Sequence, residues 1–236
     1  MNRNKLQYTG ILFGCFILFT LLVRFVDRKA IGPKDSVVGC SAVNGMIRDG
    51  LGKSGFWLGI STFLGIIVIL VVVGFACLGA YQLIRYRSFM SVDPDIYAIG
   101  AIYIIMGIFY ILFEKLVVNY RPLLDDGELA ASYPSSHTLM AVTVLGTAVI
   151  ALHKRIKDRK IINIVIMAVF ALLFFAILSR TLSGVHWITD IIGGSLLGMT
   201  LISLYSVLEE YSFVLRDNIR NKNTRKKKDL EDGEEI

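Results

Sequence analysis

A chain of 236 residues that is 55% hydrophobic, with a mean hydropathy of +0.63, reads as an integral membrane protein rather than a soluble domain. Its net charge of +6 would suggest a nucleic-acid partner in a soluble protein, but no soluble basic fold is left to present it, so nucleic acid is excluded and the charge is read as topology. Three scattered cysteines exclude a disulfide framework, and no Cys-x-x-Cys pair offers zinc; Cys15 and Cys77 read as buried thiols and Cys40 as a loop residue without a partner.

Six stretches reach or approach the roughly 20 apolar residues that a hydrocarbon core requires, at 9–26, 57–84, 96–118, 136–152, 161–180 and 187–208. The first follows Arg3 and Lys5 as a signal peptide would. It is long for one, and Val26-Asp27-Arg28-Lys29 is no cleavage site, so it reads as a retained span. A long loop, about 27–55, carries Gly32-Pro33 and Cys40 and predicts a short interfacial helix over 41–52. The second and third spans are long enough to tilt. After Phe213 the chain turns basic and then acidic, which predicts a disordered tail over 214–236 beyond a six-span unit over 1–213. The fold class is therefore all-α and polytopic.

Sixteen of the 25 Lys and Arg residues fall at the N-terminus, in the 85–95 and 153–160 loops and in the tail. Lys and Arg are retained on the cytoplasmic side, which places both termini there in a multi-pass cell-membrane protein. Three polar clusters then share the outer face. They read Lys115-x5-Arg121-Pro122, Pro134-Ser135-Ser136-His137 and Ser179-Arg180-x5-His186-x3-Asp190.

Charge at membrane depth is costly, so such clusters ask for a reason. His186 and Asp190, four apart at a helix start, share one face. A carboxylate on one ring nitrogen leaves the other free as nucleophile or base. Gly184 permits the turn that precedes them, and Arg180 can hold two phosphate oxygens. Pro134 and Ser135 open a helix, whose N-terminus is an anion site with His137 at its mouth. Arg121 and Lys115 reach the same place across a short loop. Cations and amides around an anion, with a nucleophilic His and a second His to protonate a leaving oxygen, describe phosphoryl transfer through a phosphohistidine. His153, in a basic loop, reads as solvated, and no metal-ligand set or cofactor motif is present.

The order Lys…Arg-Pro, Pro-Ser-x-His, Ser-Arg-x5-His-x3-Asp resembles the type 2 phosphatidic acid phosphatase (PAP2) superfamily, over about 115–190 for the motifs and most of the chain for the six-span layout. The resemblance implies His186 as nucleophile, Asp190 as its orienting carboxylate and His137 as the acid for the leaving alkoxide. It implies that Lys115, Arg121, Ser135, the Ser136 amide and Arg180 hold the phosphate. The family usually has Gly where Ser136 stands, and six residues between Lys and Arg where five stand here. Strict register falls on Glu114; one residue is about 100° of helix, which a flexible lysine at a helix end can span. The expectation is a metal-independent membrane lipid phosphatase, with the bilayer and a lipid phosphate as its partners. Candidate substrates are phosphatidic acid, phosphatidylglycerophosphate and undecaprenyl pyrophosphate. The alternatives are a lipid phosphotransferase with the same residues and a non-catalytic lipid-phosphate binder or transporter, whose mark would be loss of His137 or His186.

Overall fold

The computed structural model describes residues 3–234, with side chains through residue 222. Seven helices follow one another: α1 (Arg3–Phe25), α2 (Ser41–Leu51), α3 (Gly55–Tyr86), α4 (Pro94–Lys115), α5 (Ser136–Arg155), α6 (Arg159–Leu182) and α7 (Ile188–Glu234). All but α2 are long and apolar enough to cross a membrane, six spans as the sequence predicts. The short helix in the first long loop is also present, as α2. A two-residue antiparallel ladder, β1 (Lys29–Ala30) with β2 (Val37–Val38), ties the loop before it.

Helix ends follow local chemistry. The Asp158 carboxylate accepts the Lys160 and Ile161 amides at 2.7 and 3.2 Å and so caps α6. Pro94 opens α4, where its missing N–H costs nothing. Because α4 to α7 run up and down, the C-termini of α4 and α6 meet the N-termini of α5 and α7 at one end of the bundle. All three polar clusters lie at this motif end.

α5 and α7 form the centre. Half or more of their most apolar windows is buried, 56% and 50%, against 6% for α6. Their small residues explain it. A Cβ at Gly194 would lie 2.7 Å from the Ser135 carbonyl, and one at Gly198 2.7 Å from Val142 Cβ, so glycine lets the two backbones touch. α1 joins α7 and the segment leading into α5 through hydroxyls, Thr9 to Ser203 at 2.8 Å and Thr20 to Tyr133 at 2.7 Å. Tyr133 packs beside Phe16 and Phe113 in the main core.

Two expectations fail. Cys15 and Cys77 are exposed, not buried: in a bilayer the outside is as apolar as the core, so an apolar run does not imply burial. The tail is not irregular, because α7 continues to Glu234; residues 235–236 lie outside the described residues. Between Gly198 and Gly233 the sequence has no Gly or Pro, and extending a formed helix through Lys, Arg, Leu and Glu needs no new nucleus.

Candidate active site

The segment between α4 and α5 folds back on itself. Asp125 and Asp126 with Gly127 and Glu128 make a tight turn, with Asp126 at φ 48° and Gly127 at φ 83°, both in the left-handed region that hairpin turns use. The arms bond through Arg121 N–H to Ala130 O (3.0 Å) and Ser132 N–H to Asn119 O (2.9 Å). This fixes Arg121, whose guanidinium donates to Ala131 O and to the exposed Asp125. It also delivers Ser132 to the start of α5. There Ser135, fully buried, accepts the Thr138 amide as N-cap, and its own N–H bonds Asp190 O at 2.9 Å. The starts of α5 and α7 are thereby joined.

At the end of α6 the chain turns through Gly184 at φ 69°, where a Cβ would strike the Gly52 carbonyl at 2.4 Å. The turn sets His186 just before α7. Asp190, in the first turn of α7, reaches back to the Trp187 amide at 2.9 Å, so one carboxylate both caps the helix and faces the imidazole. His186 Nδ1 is 3.4 Å from Asp190 Oδ2 and 3.0 Å from Ser132 Oγ, and Ser132 bonds Asp190 Oδ2 closely. On the other side His186 Nε2 meets Arg180 Nη2 at 2.9 Å.

These contacts assign the tautomer. A guanidinium only donates, so Nε2 is the acceptor and Nδ1 carries the hydrogen. Burial holds the imidazole well below its ordinary pKa, and the charges of Arg180 and Arg121 push the same way, so the ring is neutral. Its free electron pair sits under an arginine.

The pocket here is lined by Arg121, Ser132, Ser136, His186 and Glu114, with Tyr110, Phe113, Tyr133 and Leu139 as its apolar side. His137 packs against α3 at Gly65, near enough to Arg180, His186 and Arg121 to feel their charge. The structure thus gathers His186, Asp190, Arg180, Arg121, His137 and Ser136. Ser135 serves as a cap, and Lys115 is exposed at the last residue of α4 and outside the lining, where Glu114 takes its place.

Three residues that the motifs do not contain belong to the site. Ser132 touches both His186 and Asp190. Asn119 lies against Asp190 and accepts the Gly39 amide at 3.0 Å. Asn44 of α2 donates to Gly39 O and Thr189 Oγ1 at 2.8 and 3.0 Å. The long loop is therefore bolted over the start of α7, and Arg48 lies 5.3 Å above the ring of Trp187. The Asp126-Gly127 pair is the sequence signal that would have announced the hairpin.

Among solved structures, the chain is similar to a transmembrane PAP2-type phosphatidylglycerolphosphate phosphatase from Bacillus subtilis. The TM-score is 0.63 at 18% identity, over 86% of this chain and 96% of that one. LpxE of Aquifex aeolicus aligns over 73% of this chain and 93% of that one at 22% identity, with a TM-score of 0.38. No curated protein matches the sequence significantly. The profile of the PAP2 superfamily matches residues 68–213, which is more than half of the sequence and includes all three motifs. The chain belongs to the PAP2 superfamily.

Proposed function

We propose that this PAP2 phosphatase removes phosphate from an amphipathic lipid phosphomonoester or pyrophosphate without a metal, through a phosphohistidine on Nε2 of His186. The observation that carries the reading is a neutral, buried His186 whose Nδ1 faces Ser132 and Asp190 and whose Nε2 is held by Arg180. Arg180 Nη2 covers Nε2 at 2.9 Å. Attack therefore requires Arg180 to swing from Nε2 onto the phosphate oxygens, which uncovers the nucleophile and neutralises the incoming charge in one movement.

Nε2 then bonds phosphorus, and the bond to the lipid oxygen breaks. His137 gives that oxygen its proton, and Arg121, Arg180 and the Ser136 amide hold the equatorial oxygens. In the second half His137 takes a proton from water, the water oxygen attacks phosphorus, and the bond to Nε2 breaks. Lys115 and Ser135 are proposed as outer contacts, Ser135 through the helix end it caps. The proposed orientation has both termini in the cytoplasm and the motif end outside.

The test is phosphate release by the detergent-purified protein in EDTA, from phosphatidic acid, phosphatidylglycerophosphate and undecaprenyl pyrophosphate in parallel, with His186→Ala as blank. Release that depends on His186 and survives EDTA is expected. No release from any of the three, or a strict metal requirement, would overturn the reading.

A further inference from the structure

Ser132 stands outside the three motifs, yet its hydroxyl lies between the two residues on which the chemistry turns. It is 3% exposed, its Oγ is 3.0 Å from His186 Nδ1, and it bonds Asp190 Oδ2. The direct Nδ1 to Oδ2 distance is longer, 3.4 Å, outside the range of an N–H to oxygen bond. A hydroxyl has one hydrogen and two acceptor sites, and Asp190 Oδ2, which also takes the Trp187 N–H, is an acceptor. The Ser132 hydrogen therefore points to Asp190, and its lone pair faces the hydrogen on Nδ1. The backbone holds it there through the bond from Ser132 N–H to Asn119 O in the hairpin.

We propose that Ser132 is a positioning residue for the nucleophile, carrying the influence of Asp190 to His186 through the chain Nδ1–H to Oγ–H to Oδ2. The proposal rests on the phosphohistidine reading. When the Nε2 electron pair bonds phosphorus and the lipid oxygen leaves with the electrons of the broken bond, the ring becomes cationic. The Nδ1 hydrogen stays on nitrogen throughout. Its bond to Ser132 tightens because the Ser132 hydroxyl is already polarised by Asp190, and the ring charge is stabilised without a proton leaving it. Substrate binding does not depend on this chain, because the phosphate is held by the arginines on the other face of the ring. The effect therefore falls on kcat and not on KM.

The test has two arms. In the first, Ser132→Ala is compared with the wild type in the phosphate-release assay. kcat is expected to fall about ten- to a hundredfold, the scale of a lost contact to developing charge, with KM within about twofold. In an Asp190→Asn background the same change is expected to cost under about threefold, since the charged end of the chain is already gone. A kcat within twofold of wild type, a loss carried by KM, or an undiminished loss in the Asp190→Asn background each overturns the proposal.

The second arm needs no substrate. The low-field proton NMR signal of the Nδ1 hydrogen, assigned by its disappearance in His186→Ala, is expected to move upfield or vanish in Ser132→Ala. A signal that stays in place overturns the proposal even if the wild type turns over none of the tested lipids. In that case the phosphatase reading and this one are judged separately.

Discussion

The two ends of the bundle use similar residues to opposite effect. At the end away from the motifs, the buried carboxylates among the described residues meet basic partners. Arg155 pairs with the buried Asp95 and with Asp93, Lys154 with the buried Glu209 at 2.6 Å, and Lys5 with Glu210 at 3.1 Å. Gln82 completes the set by bonding Asp93. At the motif end two arginines and two histidines gather with one buried aspartate. Arg180 spends a donor on a neutral nitrogen, and its Nε is buried without a partner. A buried cation left in that condition is costly. The far end is a closed lock between helices, and the motif end is a cluster of cationic and titratable groups with a single buried carboxylate.

Substitutions at the two ends therefore fail in different ways. The largest expected effect is that of His186→Ala, which removes the nucleophile. Turnover falls at least about 10⁴-fold while the thermal midpoint in detergent holds, and appreciable residual rate would break the assignment. Next, Arg155→Ala strands the Asp95 carboxylate and is expected to destabilise by about 3–5 kcal/mol, with kcat per folded molecule unchanged. Loss of kcat without loss of stability would show that the far end is not merely a lock. Arg121→Ala is expected to lower kcat/KM about 10²–10³-fold with little change in stability, the scale of one transition-state charge contact.

Acidity sharpens the same contrast. His186 is neutral in the fold and has a pKa well below 6.5, whereas in the unfolded chain it protonates near 6.5. Its contribution to stability is therefore present above pH 6.5 and lost as pH falls below it. Activity needs a free Nε2, so the acid limb of kcat/KM is expected below pH 6.5. A limb centred above 6.5 would mean a histidine that is charged at rest.

The spans were legible because hydropathy over 20 residues is a strong signal. His186, Asp190 and Arg180 were legible because helix spacing and a glycine turn keep them local. Ser132 was not: it lies 54 residues from His186 and 58 from Asp190, and only the packing of α5 on α7 brings them together. Asn44 and Asn119 are alike, since nothing local in the long loop announces that its Gly39 backbone will bridge them. The tail was misread because blocks of charge were weighed by repulsion alone, when a helix arriving from the membrane already supplied the nucleus.

The smallest expected effect tests the least regular part of the site. α4 ends at Lys115, and its last turn sends Glu114, not Lys115, to the pocket beside Arg121 and Ser136. A carboxylate there opposes an incoming phosphate and offsets part of the arginine charge. Both residues are exposed to solvent, so each charge is worth about 0.2–1 kcal/mol. Glu114→Lys reverses one charge and is expected to lower KM for an anionic lipid phosphate by about three- to tenfold with kcat nearly constant, while Lys115→Ala changes either constant by less than about twofold. A tenfold rise in KM on Lys115→Ala would reverse the order. It would mean that the lysine stem crosses the missing residue of register, and that the charge excess of the motif end includes a third cation.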